Sequence, residues 1–178
     1  MSATLKTRRF TLRPARDTDA EFIALYLNDY AVAGNLARVP FPYRLSDARA
    51  WLRTLRDHVP PGEANFAIDL PGQGYAGHVG FHPGELGTVI GYWLGAPFWG
   101  QGLMTEAVTA ATDWFFKSSG ADRLYSGVFA FNQASLAIQK KLGFTQTGQS
   151  MLLCLARGRE VEHIDTILTR AAWMERSK

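Results

Sequence analysis

The sequence is poor in cysteine and has no long hydrophobic run. Cys154 is the single cysteine among 178 residues, which excludes an internal disulfide and favours a reducing compartment. No apolar run approaches the roughly 20 residues that span a bilayer. The opening MSATLKTRRF lacks the apolar core of a signal peptide. We therefore expect a cytoplasmic protein with no membrane partner.

A strong charge of one sign is also missing. The formal net charge is +3, the sequence pI is about 9.2, and Lys and Arg are scattered without a long basic run. Nucleic acid is therefore not expected as a partner, and a nucleic-acid binder is a third hypothesis that rests on the pI alone. Hydrophobic residues make up 47% of the chain, enough for a sizeable core. We interpret residues 1–178 as one domain.

The most informative stretch runs from Thr88 to Lys117 and indicates a strand, a glycine-rich turn and a long helix. Gly100 and Gly102 stand just before the helix. Glycines let the backbone turn tightly, and a helix N-terminus adds free N–H groups and partial positive charge, which suit a phosphate. Apolar residues at steps of three and four predict one buried helix face: Leu103, Met104, Ala107, Val108, Ala110, Ala111, Trp114 and Phe115.

Two common glycine motifs for nucleotides do not fit this turn. A P-loop needs Lys and Ser/Thr after its second glycine, where Leu103 and Met104 stand. The dinucleotide fingerprint needs a third glycine, and Thr105 occupies that position. A plain tight turn is the simplest alternative.

Three motifs in order resemble those of one family. WGQGLMTEA at 99–107 closely resembles the acyl-CoA loop of the GCN5-related N-acetyltransferases (GNAT). GYWL at 91–94 precedes it, and the third motif follows, in which NQAS at 132–135 is combined with KLGF at 141–144. The chain is most similar to the ribosomal-protein N-terminal acetyltransferase branch of that family, over nearly its whole length.

The resemblance implies a GNAT-like α/β (α+β) fold. Its mixed, mostly antiparallel central sheet would have six to seven strands flanked by about four helices, with the strands at 88–94 and 123–131 splayed apart. Acetyl-CoA would enter the gap as cosubstrate, with its pyrophosphate on the glycine turn and its thiol near Ser135. The cofactor-binding residues implied are Trp93, Leu94, Gly100, Gln101, Gly102, Leu103, Met104, Thr105, Asn132 and Ser135.

Alternation and turn signals predict further strands at 8–13, 65–70, 75–82, 144–155 and 162–168. Further helices are predicted after a Thr18/Glu21 capping box, after Ser46 with an apolar face from Ala48 to Val59, and after Asn132. Residues 28–44 are predicted as a loop and the chain from Trp173 as a tail. The PFPYRLS segment at 40–46 is either a substrate-side loop or a connector.

The reaction implied is direct attack of a neutral amine on the thioester, with an N–H group stabilising the tetrahedral oxyanion. A protein α-amine has a pKa of about 7.7–8.0 and lysine one of about 10.4, so an N-terminus needs only weak base help. Ser135 is expected to act as the acid that stabilises the departing thiolate. The acceptor is expected to be a protein N-terminal α-amine or a small-molecule amine.

The general base is the least defined part of this hypothesis. The base is either water-mediated or supplied by His163, which is the candidate because it shares a strand face with Asp165. His78, His82 and Glu106 are alternatives with ordinary structural explanations. Relatives often place an acidic residue where Cys154 stands, and Cys154 is interpreted as a core residue.

The sequence predicts no metal site. Because no base stands out, a non-catalytic acyl-CoA-binding or regulatory module on the same fold is the alternative function. A homodimer stays open as a partner.

Overall fold

A computed structural model describes residues 3–55 and 60–176. Its strands are β1 (Leu5–Lys6), β2 (Thr11–Arg13), β3 (Asn65–Leu70), β4 (Gly74–Gly84), β5 (Gly87–Leu94), β6 (Arg123–Phe129), β7 (Thr145–Cys154) and β8 (Arg159–Thr169). They form one sheet in the order β1-β2-β3-β4-β5-β6-β8-β7. Neighbouring strands are antiparallel except β5 and β6, which are parallel.

The α-helices cover both faces of the sheet. They are α1 (Ala20–Leu27), α2 (Tyr30–Ala33), α3 (Leu45–Thr54), α4 (Leu103–Ser118), α5 (Gln133–Lys141) and α6 (Arg170–Arg176). One core lies between the sheet and α4 to α6, and a second lies under α1 to α3. In the described ranges, none of the helices has the length and apolarity needed to cross a bilayer.

The long helix α4 is held by its predicted apolar face. Val108, Ala111 and Phe115 are completely buried, and the Phe115 ring stacks on Phe81 of β4 with centroids 5.1 Å apart. Full burial of a side chain such as Phe stabilises the fold by about 1.5–3 kcal/mol. This packing fixes the start of α4, and therefore the glycine turn, against the sheet.

The central strands β5 and β6 separate soon after they meet. They pair at Val89 and Tyr125, whereas β5 pairs with β4 along its whole length. Just beyond that pair, the Ser126 hydroxyl donates to the Ile90 carbonyl at 2.9 Å. A side-chain hydrogen bond therefore takes the place of a backbone hydrogen bond between the two strands. The splay implied by the family resemblance is confirmed.

The predicted fold class is confirmed, but two counts are wrong. The sheet has eight strands rather than six to seven, and the described residues form six α-helices rather than about four. The added strand β1 has two residues and returns to β2 through a turn in which the Thr7 N–H donates to the Phe10 carbonyl at 2.9 Å.

The two extra helices lie where a loop and a tail are predicted. Within the predicted loop, α2 begins after Asp29, whose carboxylate accepts from the Ala31 N–H at 2.8 Å. In the predicted tail, α6 buries Trp173 against Phe116 of α4, with ring centroids 5.2 Å apart. One capping carboxylate and one buried aromatic therefore order segments that show no periodic pattern.

Two predicted helix caps are also wrong. At α1, Asp19 rather than Thr18 organises the entry, because its carboxylate accepts from the Arg16 N–H at 2.7 Å. At α3, Ser46 lies inside the helix, and Asp47 accepts from the Arg44 N–H at 2.8 Å. In both cases a carboxylate three residues along accepts the N–H that precedes the turn. Of the predicted α3 face, Val59 lies outside the described residues.

Candidate active site

A cleft of about 1720 Å³ opens where β5 and β6 separate. Its walls include the glycine turn before α4, the first turn of α5, and residues of α3 and β8. Pockets for drug-sized ligands measure about 300–1,000 Å³. The cleft therefore has room for a coenzyme-sized molecule and for an acceptor beside it.

The glycine turn leaves main-chain amides without internal partners. Gly100 and Gly102 have φ angles of 72° and 71°, in the left-handed region that favours glycine. The helix bond nearest this end runs from the Glu106 N–H to the Gly102 carbonyl at 3.2 Å. The N–H groups of Leu103 to Thr105 precede that bond, so they have no acceptor within the helix. Free amides of this kind, together with the helix dipole, favour an anion.

The predicted cofactor residues at this turn play different parts. Gly100, Gln101 and Gly102 are exposed, whereas Leu103 and Met104 are buried, with exposed fractions of 4% and 8%. The side chains of Leu103 and Met104 pack in the core, and the free amides of these residues are their groups suited to a phosphate.

Trp99 fastens the turn to the end of β5. Its indole N–H donates to the Leu94 carbonyl at 2.7 Å. The bond joins the glycine turn to the strand that forms one wall of the gap.

Arg9 fastens the same turn from the opposite side. Its guanidinium pairs with Glu106 at 2.6 Å and donates to the Gln101 carbonyl at 2.7 Å. Burial alone would raise the pKa of Glu106, but hydrogen bonds from the guanidinium and the backbone N–H of Arg9 favour the carboxylate, and the pKa is lowered. Glu106 is therefore an ionised structural partner. The sequence does not signal this contact, which joins residues 97 positions apart.

The backbone of β5 presents alternate residues to the gap. The Gly95 N–H donates to Ala76 of β4 at 2.9 Å, so by the antiparallel pattern Trp93 also directs its N–H and C=O to β4. Tyr92 and Leu94 direct theirs to the gap. The side chain of Trp93 lies on the α1–α3 side and lines the cleft.

The start of α5 carries the predicted thiol-end residues. The Asn132 side chain accepts from the Ser135 N–H at 3.2 Å, so the predicted cap is confirmed. The Ser135 hydroxyl in turn bonds the Tyr92 hydroxyl at 2.8 Å. Burial raises the pKa of Tyr92, so the phenol stays protonated at neutral pH. Sequence reasoning missed Tyr92 as a site side chain, although period-two alternation puts it on the α5 side of β5.

His163 and Asp165 form the predicted pair on β8. His163 Nδ1 lies 3.0 Å from the Asp165 carboxylate. Since a carboxylate accepts, Nδ1 carries the hydrogen and the lone pair of the neutral ring is on Nε2. The ring lies over Gly127 of β6, where a Cβ would overlap it, and it meets Phe129 edge-on at 5.9 Å. The missing side chain at Gly127 thus makes room for the imidazole beside the gap.

The other base candidates are unsuited to proton uptake. Burial lowers the pKa of His78 to about 3, and its Nε2 bonds Asn65 at 3.0 Å. Burial also lowers the pKa of His82. Cys154 is fully buried with its Sγ near the carbonyls of Gly34 and Leu36, which confirms it as a core residue. Among residues 3–55 and 60–176, no cluster of His, Cys, Asp and Glu has the arrangement of a metal site.

Aromatic side chains form the wall opposite His163. Trp51 of α3 meets the His78 ring edge-on at 4.8 Å, and both line the cleft beside Trp93. Pro40 and Tyr43 of the PFPYRLS segment also line it. This segment therefore reaches the cleft on the side away from the glycine turn.

The profile of the family described as "Acetyltransferase (GNAT) domain" matches residues 9–145. The chain belongs to the GNAT family of acetyltransferases, and the fold and the splayed strands agree with that assignment. Enzymes of this family are N-acetyltransferases that take acetyl-CoA as cosubstrate. At the level of the family, the predicted enzyme class and cosubstrate are confirmed.

Similar proteins come from the same branch as the sequence resemblance. The ribosomal protein uS5-alanine N-acetyltransferase of Escherichia coli (strain K12) is 31% identical over 84 residues, which cover 47% of this chain and 43% of that protein. The chain thus matches less than half the length of this relative.

Two solved structures share the fold at low identity. Mycobacterium smegmatis RimJ in complex with CoA-disulfide has a TM-score of 0.81 at 21% identity, covering 95% of this chain and 88% of that one. The ribosomal-protein-S5-alanine acetyltransferase of Vibrio fischeri has a TM-score of 0.80 at 21% identity, covering 97% and 99%.

Proposed function

We propose that this protein transfers an acetyl group from acetyl-CoA to a primary amine, and that residues 1–178 act as one acyltransferase domain. The acceptor is a protein N-terminal α-amine or a small-molecule amine. The observation that carries the proposal is the pair of left-handed glycines at Gly100 and Gly102, followed by amides that line the cleft between β5 and β6.

The cleft supplies a seat for each part of the cosubstrate. The amides from Gly100 to Thr105 hold the pyrophosphate. The gap-facing backbone groups of Tyr92 and Leu94 hold the pantetheine arm, which leads towards Ser135 and Asn132. Family membership supports this arrangement, and RimJ, which has the same fold, binds CoA-disulfide.

His163 is the proposed general base. Its Nε2 lone pair takes a proton from the attacking amine, directly or through one water, while Asp165 holds the ring in the required tautomer. The amine nitrogen bonds to the acetyl carbon, and a gap-facing N–H of β5 stabilises the oxyanion. The carbon–sulfur bond then breaks, and Ser135 donates a hydrogen bond to the departing thiolate.

A protein N-terminus is the first acceptor to test. The α-amine is partly neutral near pH 7, which suits catalysis by one histidine. The Escherichia coli relative is named for an alanine of a ribosomal protein, which supports a peptide amine. Small amines fit the same chemistry and belong in the same screen.

The test incubates the purified protein with acetyl-CoA and a library of alanine-starting peptides, other peptides and small amines. We expect release of free thiol together with an acetylated product. Calorimetry measures coenzyme A binding in parallel. Binding without turnover across the library would favour a non-catalytic acyl-CoA-binding module, and a folded protein that does not bind coenzyme A would refute both functions.

A further inference from the structure

A chain of buried polar side chains connects three strands to α5 beneath the gap. Gln139 lies one helical turn after Ser135, on the same face of α5, and it is 2% exposed. Its Nε2 donates to Ser126 of β6 at 2.9 Å, and its Oε1 accepts from Thr166 of β8 at 2.7 Å. Burial raises the pKa of Tyr92, and the neighbouring Ser135 and Gln139 side chains lower it in part.

The directions of these hydrogen bonds are fixed from one end. The Ile90 carbonyl can only accept, so the Ser126 hydroxyl uses its one hydrogen on it, at 2.9 Å. Ser126 must then accept from Gln139, which requires Nε2 rather than Oε1 on that side. The Thr166 hydroxyl on Oε1 agrees with this orientation of the amide.

The direction of the hydrogen bond between Tyr92 and Ser135 can be assigned in the same way. The second hydrogen of the Gln139 amide nitrogen is available to the Tyr92 oxygen. A phenol is also a stronger hydrogen-bond donor than an aliphatic hydroxyl. For both reasons the Tyr92 hydroxyl is the donor and the Ser135 oxygen is the acceptor in their 2.8 Å hydrogen bond. The hydrogen of Ser135 can then point into the cleft.

We propose that Tyr92 strengthens the hydrogen bond from Ser135 to the coenzyme A thiolate, and that Gln139 sets the direction of this chain of donors. The inference rests on the proposed function, since it requires coenzyme A in the gap. Tyr92 and Gln139 are positioning residues that act through Ser135. The chain transfers no group: each oxygen keeps its hydrogen and the thiolate accepts a hydrogen bond.

The test measures the pKa of the coenzyme A thiol while it is bound, which requires no acceptor amine. Thiolate absorbance is followed against pH at saturating coenzyme A, and the same titration with desulfo-coenzyme A is subtracted. Hydrogen bonds to a charged group lower its pKa. In the wild type we expect a thiol pKa below that of free coenzyme A, and in Tyr92→Phe a value higher than wild type by about 0.5–1 unit.

Further variants separate this effect from a change in packing. Ser135→Ala should raise the thiol pKa more than Tyr92→Phe, and Ser135→Thr should restore most of the lowering because it keeps the hydroxyl. Gln139→Met keeps similar volume and should behave like Tyr92→Phe. Tyr30→Phe removes an exposed phenol outside the cleft and should match the wild type.

The outcomes distinguish this inference from the function beneath it. If the folded wild type does not bind coenzyme A, the proposed function fails and the inference fails with it. If coenzyme A binds and its thiol pKa is equal in the wild type and Tyr92→Phe, the donor chain is refuted while the acetyltransferase proposal stands.

Discussion

The two ends of the cleft are built from different parts of the chain. The proposed phosphate end consists of main-chain amides of residues 100–105, and the shape of this turn depends on two left-handed glycines. The proposed reactive end consists of side chains from separate elements, among them Tyr92 of β5, Ser135 of α5 and His163 of β8. The first end should be sensitive to backbone conformation, and the second to single functional groups.

The largest effect is expected from His163→Gln, at the reactive end. Loss of a general base lowers the rate by about 10²–10⁴-fold, so we expect a fall in kcat with the KM for acetyl-CoA within a factor of about two. Steady-state kinetics on the acceptor identified in the screen measure both. His82→Gln, a histidine hydrogen-bonded to the Pro83 carbonyl, is the matched control. An equal fall in both variants would remove His163 from the mechanism.

The next largest effect is expected from Gly102→Val, at the phosphate end. A β-branched residue is strongly disfavoured at a φ of 71°, so the turn would change shape and its amides would diverge. We expect the Kd for coenzyme A to rise about 100-fold, which corresponds to about 2.7 kcal/mol.

Gly72→Val is the matched control for this variant. Gly72 has a φ of 74° in the turn between β3 and β4 and has no atoms within 4 Å of an added Cβ. The Gly72→Val substitution introduces the same backbone strain away from the cleft, so it should leave the affinity for coenzyme A unchanged. Unchanged affinity in Gly102→Val would mean that the turn is not the phosphate seat.

Arg9→Ala should have a smaller effect on the phosphate end. The substitution removes the hydrogen bonds to Glu106 and Gln101 but leaves both glycines. The turn therefore keeps its backbone conformation and is held less firmly. The ion pair is partly exposed, so solvent screens it and its contribution is about 1 kcal/mol. We expect coenzyme A to bind about three- to fivefold more weakly in calorimetry.

The pH dependence of the Arg9 effect follows from Glu106. The pKa of Glu106 is lowered in the folded protein, so the ion pair is complete at neutral pH and is lost as the pH falls through that folded value. The difference in coenzyme A affinity between wild type and Arg9→Ala should therefore shrink in acid. A difference that grows in acid would contradict this account of the turn.

The smallest effect is expected from Asn132→Ala, at the reactive end. Loss of an N-cap costs about 1 kcal/mol, which a thermal or urea melt would detect. If Asn132 also contacts the pantetheine arm, coenzyme A affinity should fall by more than the melt explains. Equal losses in stability and affinity would restrict Asn132 to its cap.

The difference between the two ends also explains what the sequence could predict. The glycine turn before α4 was predictable because Gly100, Gly102 and the helix start are neighbours in the sequence. The donor chain was not, because Tyr92 and Ser135 are 43 positions apart and meet only after the sheet has formed. The pairing of His163 with Asp165 was predictable in part, because the alternation of side chains along one strand places both residues on the same face.

The element assignments failed for a related physical reason. Long periodic elements such as α4 were predicted from their apolar spacing. The helices α2 and α6 were missed because each is short and is held by individual contacts, such as the Asp29 cap in one and the burial of Trp173 in the other. Neither contact produces a repeating pattern.

The single backbone pairing between β5 and β6 has a thermodynamic consequence. A pantetheine arm in the gap would occupy the place of the absent interstrand hydrogen bonds, so the cosubstrate would act as a missing strand. Binding to the native state alone stabilises a protein by RT ln(1 + [L]/Kd), about 2.7 kcal/mol at a hundredfold excess over Kd. Slowed hydrogen exchange at the Tyr92 and Leu94 amides would reveal the completed sheet.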